Sequence, residues 1–121
     1  HLIWEQYHAM AVLIEDAASG QDLIPELRDK TRMPIIAIQV DKDKVARANT
    51  ALPTVASGKV FLPEDAPWRL VFEHEHEVFP GGAHDDQVDA TTQFLNWARL
   101  HVVTDTGGLI GIAQKSKWRS E

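Results

Sequence analysis

An α/β fold follows from three observations. Two short apolar runs rich in β-favouring residues, Val12-Leu13-Ile14 and Ile35 to Val40, flank a segment, Gln21 to Lys30, with apolar residues at helical spacing. A strand, helix, strand order joined this way makes the two strands parallel, because the crossover helix carries the chain back before the second strand starts. The rest of the chain reads mainly as helices separated by Pro and Gly breaks, so the expected architecture is a short, mostly parallel sheet flanked by helices.

Each element has its own signal. His1 to His8 reads as a helix with Leu2, Ile3 and Tyr7 available for packing. Ala11 to Ile14 forms the first strand, which stops abruptly at Glu15-Asp16 before the small residues Ala17-Ala18-Ser19-Gly20. The helix from Gln21 to Lys30 sets Leu23, Ile24 and Leu27 on one face, with Pro25 in its first turn, where a missing N–H is tolerated. Met33-Pro34 breaks the chain before Ile35 to Val40, whose nearly continuous apolar character is that of a strand buried on both faces.

Lys42 to Thr50 is expected to be helical, Pro53 to Gly58 a bend, and Val60-Phe61-Leu62 a short strand or extended segment closed by Pro63. A helix begins around Trp68, Leu70, Val71 and Phe72, runs to Val78-Phe79 and ends at Pro80-Gly81-Gly82. The segment His84-Asp85-Asp86-Gln87-Val88-Asp89-Ala90 heads the last helix. With about 3.6 residues per turn, Val88, Thr91, Leu95, Ala98 and Val102 form its apolar stripe, while Asp86, Asp89 and Gln93 lie on the opposite side.

Composition bounds the function. With 121 residues and 44% hydrophobic content, the chain supports one core, read as a domain over 1–103 with a flexible tail over 104–121. The tail carries Gly107-Gly108, Gly111 and a basic end; Leu109-Ile110 and Ile112 could instead add an edge strand or dock on a partner. The chain contains no cysteine, which excludes disulfides, thiol catalysis and Cys-type zinc sites. No apolar run reaches the ~20 residues needed to cross a membrane, and no signal-peptide pattern opens the chain, so a cytoplasmic location is expected. No Gly-x-x-x-x-Gly-Lys-Ser/Thr loop is present to support ATP hydrolysis.

A net charge of −6 argues against a broadly basic surface for nucleic acid. Glu73, Glu75 and Glu77 add a local acidic run. Basic residues gather at Lys42, Lys44 and Arg47 and again at Lys115, Lys117 and Arg119; each cluster reads as solvated surface or as a meeting point for phosphates. His74 and His76, two positions apart, do not share a helical face and read as surface histidines rather than a zinc pair.

The acidic residues carry the chemistry. Asp86 and Asp89 sit on one side of a helix start, where carboxylates either hold a divalent metal or cap the free backbone N–H groups. Asp85, nearer the apolar edge, reads as a cap or a support to a ligand, and His84 adjoins the group. Glu15 and Asp16 close the first strand, and in open α/β sheets ligands bind beyond the carboxyl ends of strands. Glu15 also reads as a solvated strand end, and Asp16 as a turn residue.

A strand ending in Ile-Glu-Asp-Ala-Ala-Ser-Gly and, about seventy residues on, Gly-Ala-His-Asp-Asp-Gln-Val-Asp-Ala heading a helix resemble the nuclease domain of phage terminase large subunits. The resemblance runs from roughly His1 to Leu100 and includes Pro34-Ile35-Ile36-Ala37, Lys44-Val45-Ala46-Arg47-Ala48 and Gly58-Lys59-Val60-Phe61-Leu62-Pro63. It implies a three-layer ribonuclease H-like fold in which acidic residues on two strands and one helix hold two Mg2+ or Mn2+ ions for cutting double-stranded DNA. By position, Glu15 matches the strand-end carboxylate, Asp86 the helix carboxylate and Asp89 a third, with Asp16, His84 and Asp85 supporting. Against that pattern the chain resembles the second half of the domain, without the first strands and the Asp they carry.

The resemblance also implies genome packaging as the setting, with the terminase small subunit and portal as partners of the full-length protein. A strand edge at Val12 to Ile14, left without its neighbour, would be a template for a homo-oligomer. Two other readings stay open: a noncatalytic interaction module of the packaging machinery, and another ribonuclease H-like nuclease of resolvase or transposase type.

Overall fold

A computed structural model describes residues 2–39 and 43–101. The expectations for 104–121, and those for Val40, Lys42 and Val102, lie outside these residues. The chain groups into two compact units, residues 1–40 and 41–121.

The first unit holds α1 (Leu2–Tyr7), β1 (Val12–Glu15), α2 (Ser19–Lys30) and β2 (Ile35–Ile38). The two strands are parallel, as their connection requires, in the register Val12 to Ile35 through Glu15 to Ile38. Val12 N–H donates to Pro34 O and Asp16 N–H to Ile38 O, both at 2.9 Å, so the ladder reaches one residue past the end of β1. Ile24, Met33 and Ile35 form the core, with Trp4, Val12, Ile14 and Leu27 packed against it.

Three details differ from the sequence-based expectation. Within β2, Ala37 is exposed and Ile36 half-buried, so the strand is not enclosed on both faces by the described residues. Helix α2 begins at Ser19, which moves Pro25 out of the first turn and into the helix. The early start comes from a tight turn in which Gly20 N–H donates to Ala17 O at 2.9 Å and Gln21 N–H to Ala18 O at 3.2 Å. Ala18 has φ 46° and ψ −119°, a left-handed conformation that side chains disfavour. Gly20 lies against the strand end so closely that a Cβ there would overlap the Glu15 carbonyl oxygen.

The second unit is helical: α3 (Lys44–Ala56), α4 (Arg69–Val78) and α5 (Asp86–His101). Helix α5 packs against both α3 and α4. It buries Val88, Thr92, Leu95 and Ala98, so Thr92 takes the stripe position expected for the half-buried Thr91. Ala51 on α3 is also buried, and such small side chains let helix backbones approach closely.

Helix α3 is capped by Asp43, which accepts from Ala46 N–H at 3.1 Å, and it runs through Pro53 instead of bending there. Pro53 sits in the last turn, where its ring removes a single helical bond, and Ser57 N–H still closes onto Pro53 O at 3.0 Å. The expected bend shrinks to a turn at Ser57-Gly58, with Gly58 at φ 76°. Residues 60–62 form neither helix nor strand, and the expected short strand is absent there. Helix α4 is tied at its start by Arg69 Nε to Glu73 Oε1 at 2.8 Å and ends before a cis Phe79–Pro80 bond.

Candidate metal centre

The start of α5 has free backbone N–H groups, and their partner comes from a different helix. Glu75 on α4 accepts from Gln87 N–H at 2.7 Å, Val88 N–H at 3.3 Å and Gln87 Nε2 at 2.6 Å. Its side chain is buried, with the residue only 7% exposed. Burial pushes the Glu75 carboxyl upward, but the bonds from Gln87 and Val88, with His76 beside it, outweigh that and hold it below the ordinary carboxylate value.

With the cap supplied by Glu75, the neighbouring aspartates are relieved of that duty. Asp85 serves the helix through its backbone, its carbonyl accepting from Asp89 N–H at 2.9 Å, while its carboxylate points to Lys44. Asp85, Asp86 and Asp89 each offer one oxygen, and these atoms lie within 4.8 Å of one another. Asp86 is exposed and has no hydrogen bond or ion pair among the described residues. His84, immediately before the cluster, is also exposed.

The other two carboxylates are held by α3. Lys44 Nζ bridges Asp85 Oδ2 at 2.8 Å and Asp89 Oδ2 at 3.0 Å. The hydrogen bond to Asp85, then that to Asp89, raises the lysine above its ordinary pKa and outweighs the opposing effect of burial. Arg47 Nη2 meets the remaining oxygen, Asp89 Oδ1, at 2.8 Å, and Arg47 itself is buried at 8% exposure. Asn96 Nδ2 donates to Arg47 O at 3.2 Å, a further tie between α3 and α5. The basic residues Lys44 and Arg47 are thus ion-paired within the unit rather than merely solvated.

Three hard carboxylate oxygens gathered at this distance suit Mg2+ or Mn2+, which favour oxygen ligands. The fit is clearest at Asp86, whose carboxylate carries no competing partner among the described residues. Glu15 and Asp16 belong to the first unit. Glu15 is the exposed last residue of β1, and Asp16 Oδ2 accepts from Gln39 Nε2 at 2.9 Å.

Sequence reasoning missed Glu75 and placed His76 on the surface. His76 is half-buried, with Nδ1 at 2.7 Å from Phe72 O and Nε2 at 3.0 Å from Thr91 Oγ1. The signal was present: Phe72, Glu75, His76 and Phe79 recur at three- and four-residue spacing, so Glu75 occupies the inward stripe of α4. Arg47 and Ala51 stand in the same relation on α3, and a charged residue on such a stripe needs a buried partner.

No curated protein and no solved structure gives a significant match. The family described as Terminase RNaseH-like domain matches residues 2–97, which takes in β1 with Glu15, the α3 cations and the aspartates at the head of α5. The α/β make-up, with its parallel strand pair followed by helices, agrees with a ribonuclease H-like domain. The chain belongs to the terminase ribonuclease H-like domain family.

Proposed function

We propose that the chain is the nuclease part of a phage or prophage terminase large subunit, a metal-dependent endonuclease that cuts concatemeric double-stranded DNA during genome packaging. The observation that carries this reading is the release of the α5 aspartates from capping by Glu75, which leaves Asp86 with an exposed, unpartnered carboxylate among the described residues of a terminase-family domain.

In this reading Glu15, Asp86 and Asp89 are the metal ligands, and Asp16, His84 and Asp85 support them. Phosphodiester hydrolysis needs an activated water and relief of charge on the leaving oxygen, and a pair of Mg2+ or Mn2+ ions about 3.5–4 Å apart supplies both. The residues of this chain contribute hard oxygen ligands and their placement. Asp86 offers an open carboxylate, while Arg47 fixes the rotamer of Asp89 from the buried side.

The substrate in this account is double-stranded DNA, and the terminase small subunit and portal are the partners of the full-length protein. The work is done in the host cytoplasm; no helix among the described residues is long and apolar enough to cross a membrane. Strand β1 has β2 on one side and no second neighbour among the described residues, an edge on which a second copy could pair.

Supercoiled and linear double-stranded DNA incubated with the protein and Mn2+ tests the reading. Cutting by the wild type, lost in Asp86→Asn with folding unchanged, is the expected result. Equal cutting by the variant would reject Asp86 as a ligand. Absence of cutting by the wild type, together with pull-down of packaging proteins, would favour the interaction module.

A further inference from the structure

We propose that Lys44 is a resident counter-cation of the aspartate cluster, seated on Asp85 and Asp89 until a divalent ion displaces it, so that α3 sets how tightly the cluster takes metal. The inference rests on the reading of this cluster as metal-binding.

Two cations from α3 reach the cluster, and they differ in how freely they can leave. Arg47 is buried and meets Asp89 Oδ1, on the side away from the lysine-bound oxygen. Enclosed as it is, that guanidinium has little access to water into which it could swing, so Arg47 keeps hold of Asp89 with or without metal. The Lys44 side chain is 44% exposed and reaches the cluster on a flexible stem. Its ammonium can swing into water at little cost, because exposed ion pairs contribute weakly.

The lysine also occupies the atoms that a metal would use. Its Nζ lies 2.8 Å from Asp85 Oδ2 and 3.0 Å from Asp89 Oδ2. A magnesium ion binds carboxylate oxygen at about 2.0–2.1 Å, so an ion on these same two oxygens would overlap the ammonium and repel it. Asp86, one helical turn from Asp89 and without a partner among the described residues, is where an incoming ion would first land. Capture by Asp86 followed by expulsion of Lys44 from Asp85 and Asp89 completes the exchange. Between metal-bound states, Lys44 lowers the net negative charge of the acidic group and holds Asp85 and Asp89 in place.

Manganese binding measured by electron paramagnetic resonance tests this on the wild type, Lys44→Gln, Asp86→Asn and a control, Lys59→Gln, which removes the same charge from an exposed lysine of the same unit. Loss of the internal competitor should tighten Mn2+ binding about tenfold in Lys44→Gln, with the control within about twofold of wild type. In the wild type, the side-chain ammonium resonance of Lys44 should move to its solvent-exposed position as Mg2+ is added. That second readout requires no variant to fold. Equal affinity in wild type and Lys44→Gln, or an unmoved Lys44 resonance at saturating Mg2+, would overturn the inference while leaving the metal site in place. Absence of binding in both the wild type and Lys44→Gln would overturn the metal reading, and this inference with it.

Discussion

Glu75 on α4 caps α5 by accepting the backbone N–H of Gln87 at 2.7 Å, across twelve residues of sequence. The start of the aspartate-bearing helix is therefore fixed by a buried carboxylate from its neighbour. Glu75→Ala should leave the Gln87 and Val88 amides without their acceptor and lower their hydrogen-exchange protection by about tenfold or more, with Glu75→Gln less affected because it keeps one acceptor oxygen. Amide exchange followed by NMR reads this directly.

The same residue gives the fold a pH dependence of definite sign. Glu75 is held below its ordinary value in the folded state, so its contribution is fully present above the pKa of an unfolded glutamate and is lost as pH falls through the folded value. Urea unfolding at a series of acidic pH values should show stability declining below the ordinary carboxylate range. Glu75→Gln, which has no such proton to take up, should flatten that decline.

Asp86 and Asp89 should separate sharply in stability. Asp89→Ala removes a charged hydrogen-bond partner of the buried Arg47 and should cost about 1.5–3 kcal/mol. Asp86→Ala removes an exposed carboxylate with no partner among the described residues and should change stability by less than about 0.5 kcal/mol. Chemical denaturation of the two variants makes the comparison.

Gly20 is required by close approach rather than by its dihedral angles. A methyl group at this position overlaps the Glu15 carbonyl oxygen, and neither the strand end nor the first turn of α2 can move without disturbing the other. Gly20→Ala should destabilise the first unit by about 1–3 kcal/mol, as overpacking does elsewhere. Thermal unfolding, with exchange of the β1 amides, would show the loss and place it.

What could be read from the sequence was what it encodes locally. The order β1, α2, β2 showed in the alternation of short apolar runs with helical spacing, and the parallel pairing followed from the connection. The placing of Asp86 and Asp89 on one side of the last helix followed from helical spacing. The cap at Glu75 and the pairing of Arg47 with Asp89 were hidden, because each joins side chains on two different helices, and a local reading sees only a run of acids and a run of bases. Pro53 misled for a related reason: the loss of one bond near a helix end does not decide whether the last turn forms. Asp85 reads from the sequence as a cap or a support to a ligand and Asp89 as a ligand or a cap, and contact with α3 reveals a further role for their carboxylates, as anchors for Lys44 and Arg47.

Asp86 is the proposed ligand on which the metal site at the head of α5 depends. Crystals of the protein soaked in manganese, with data collected for anomalous scattering, test it most directly. An anomalous peak within coordination distance of the Asp86 carboxylate is expected, weakened or lost in Asp86→Asn. No peak, with the Asp86 side chain well ordered, would contradict it.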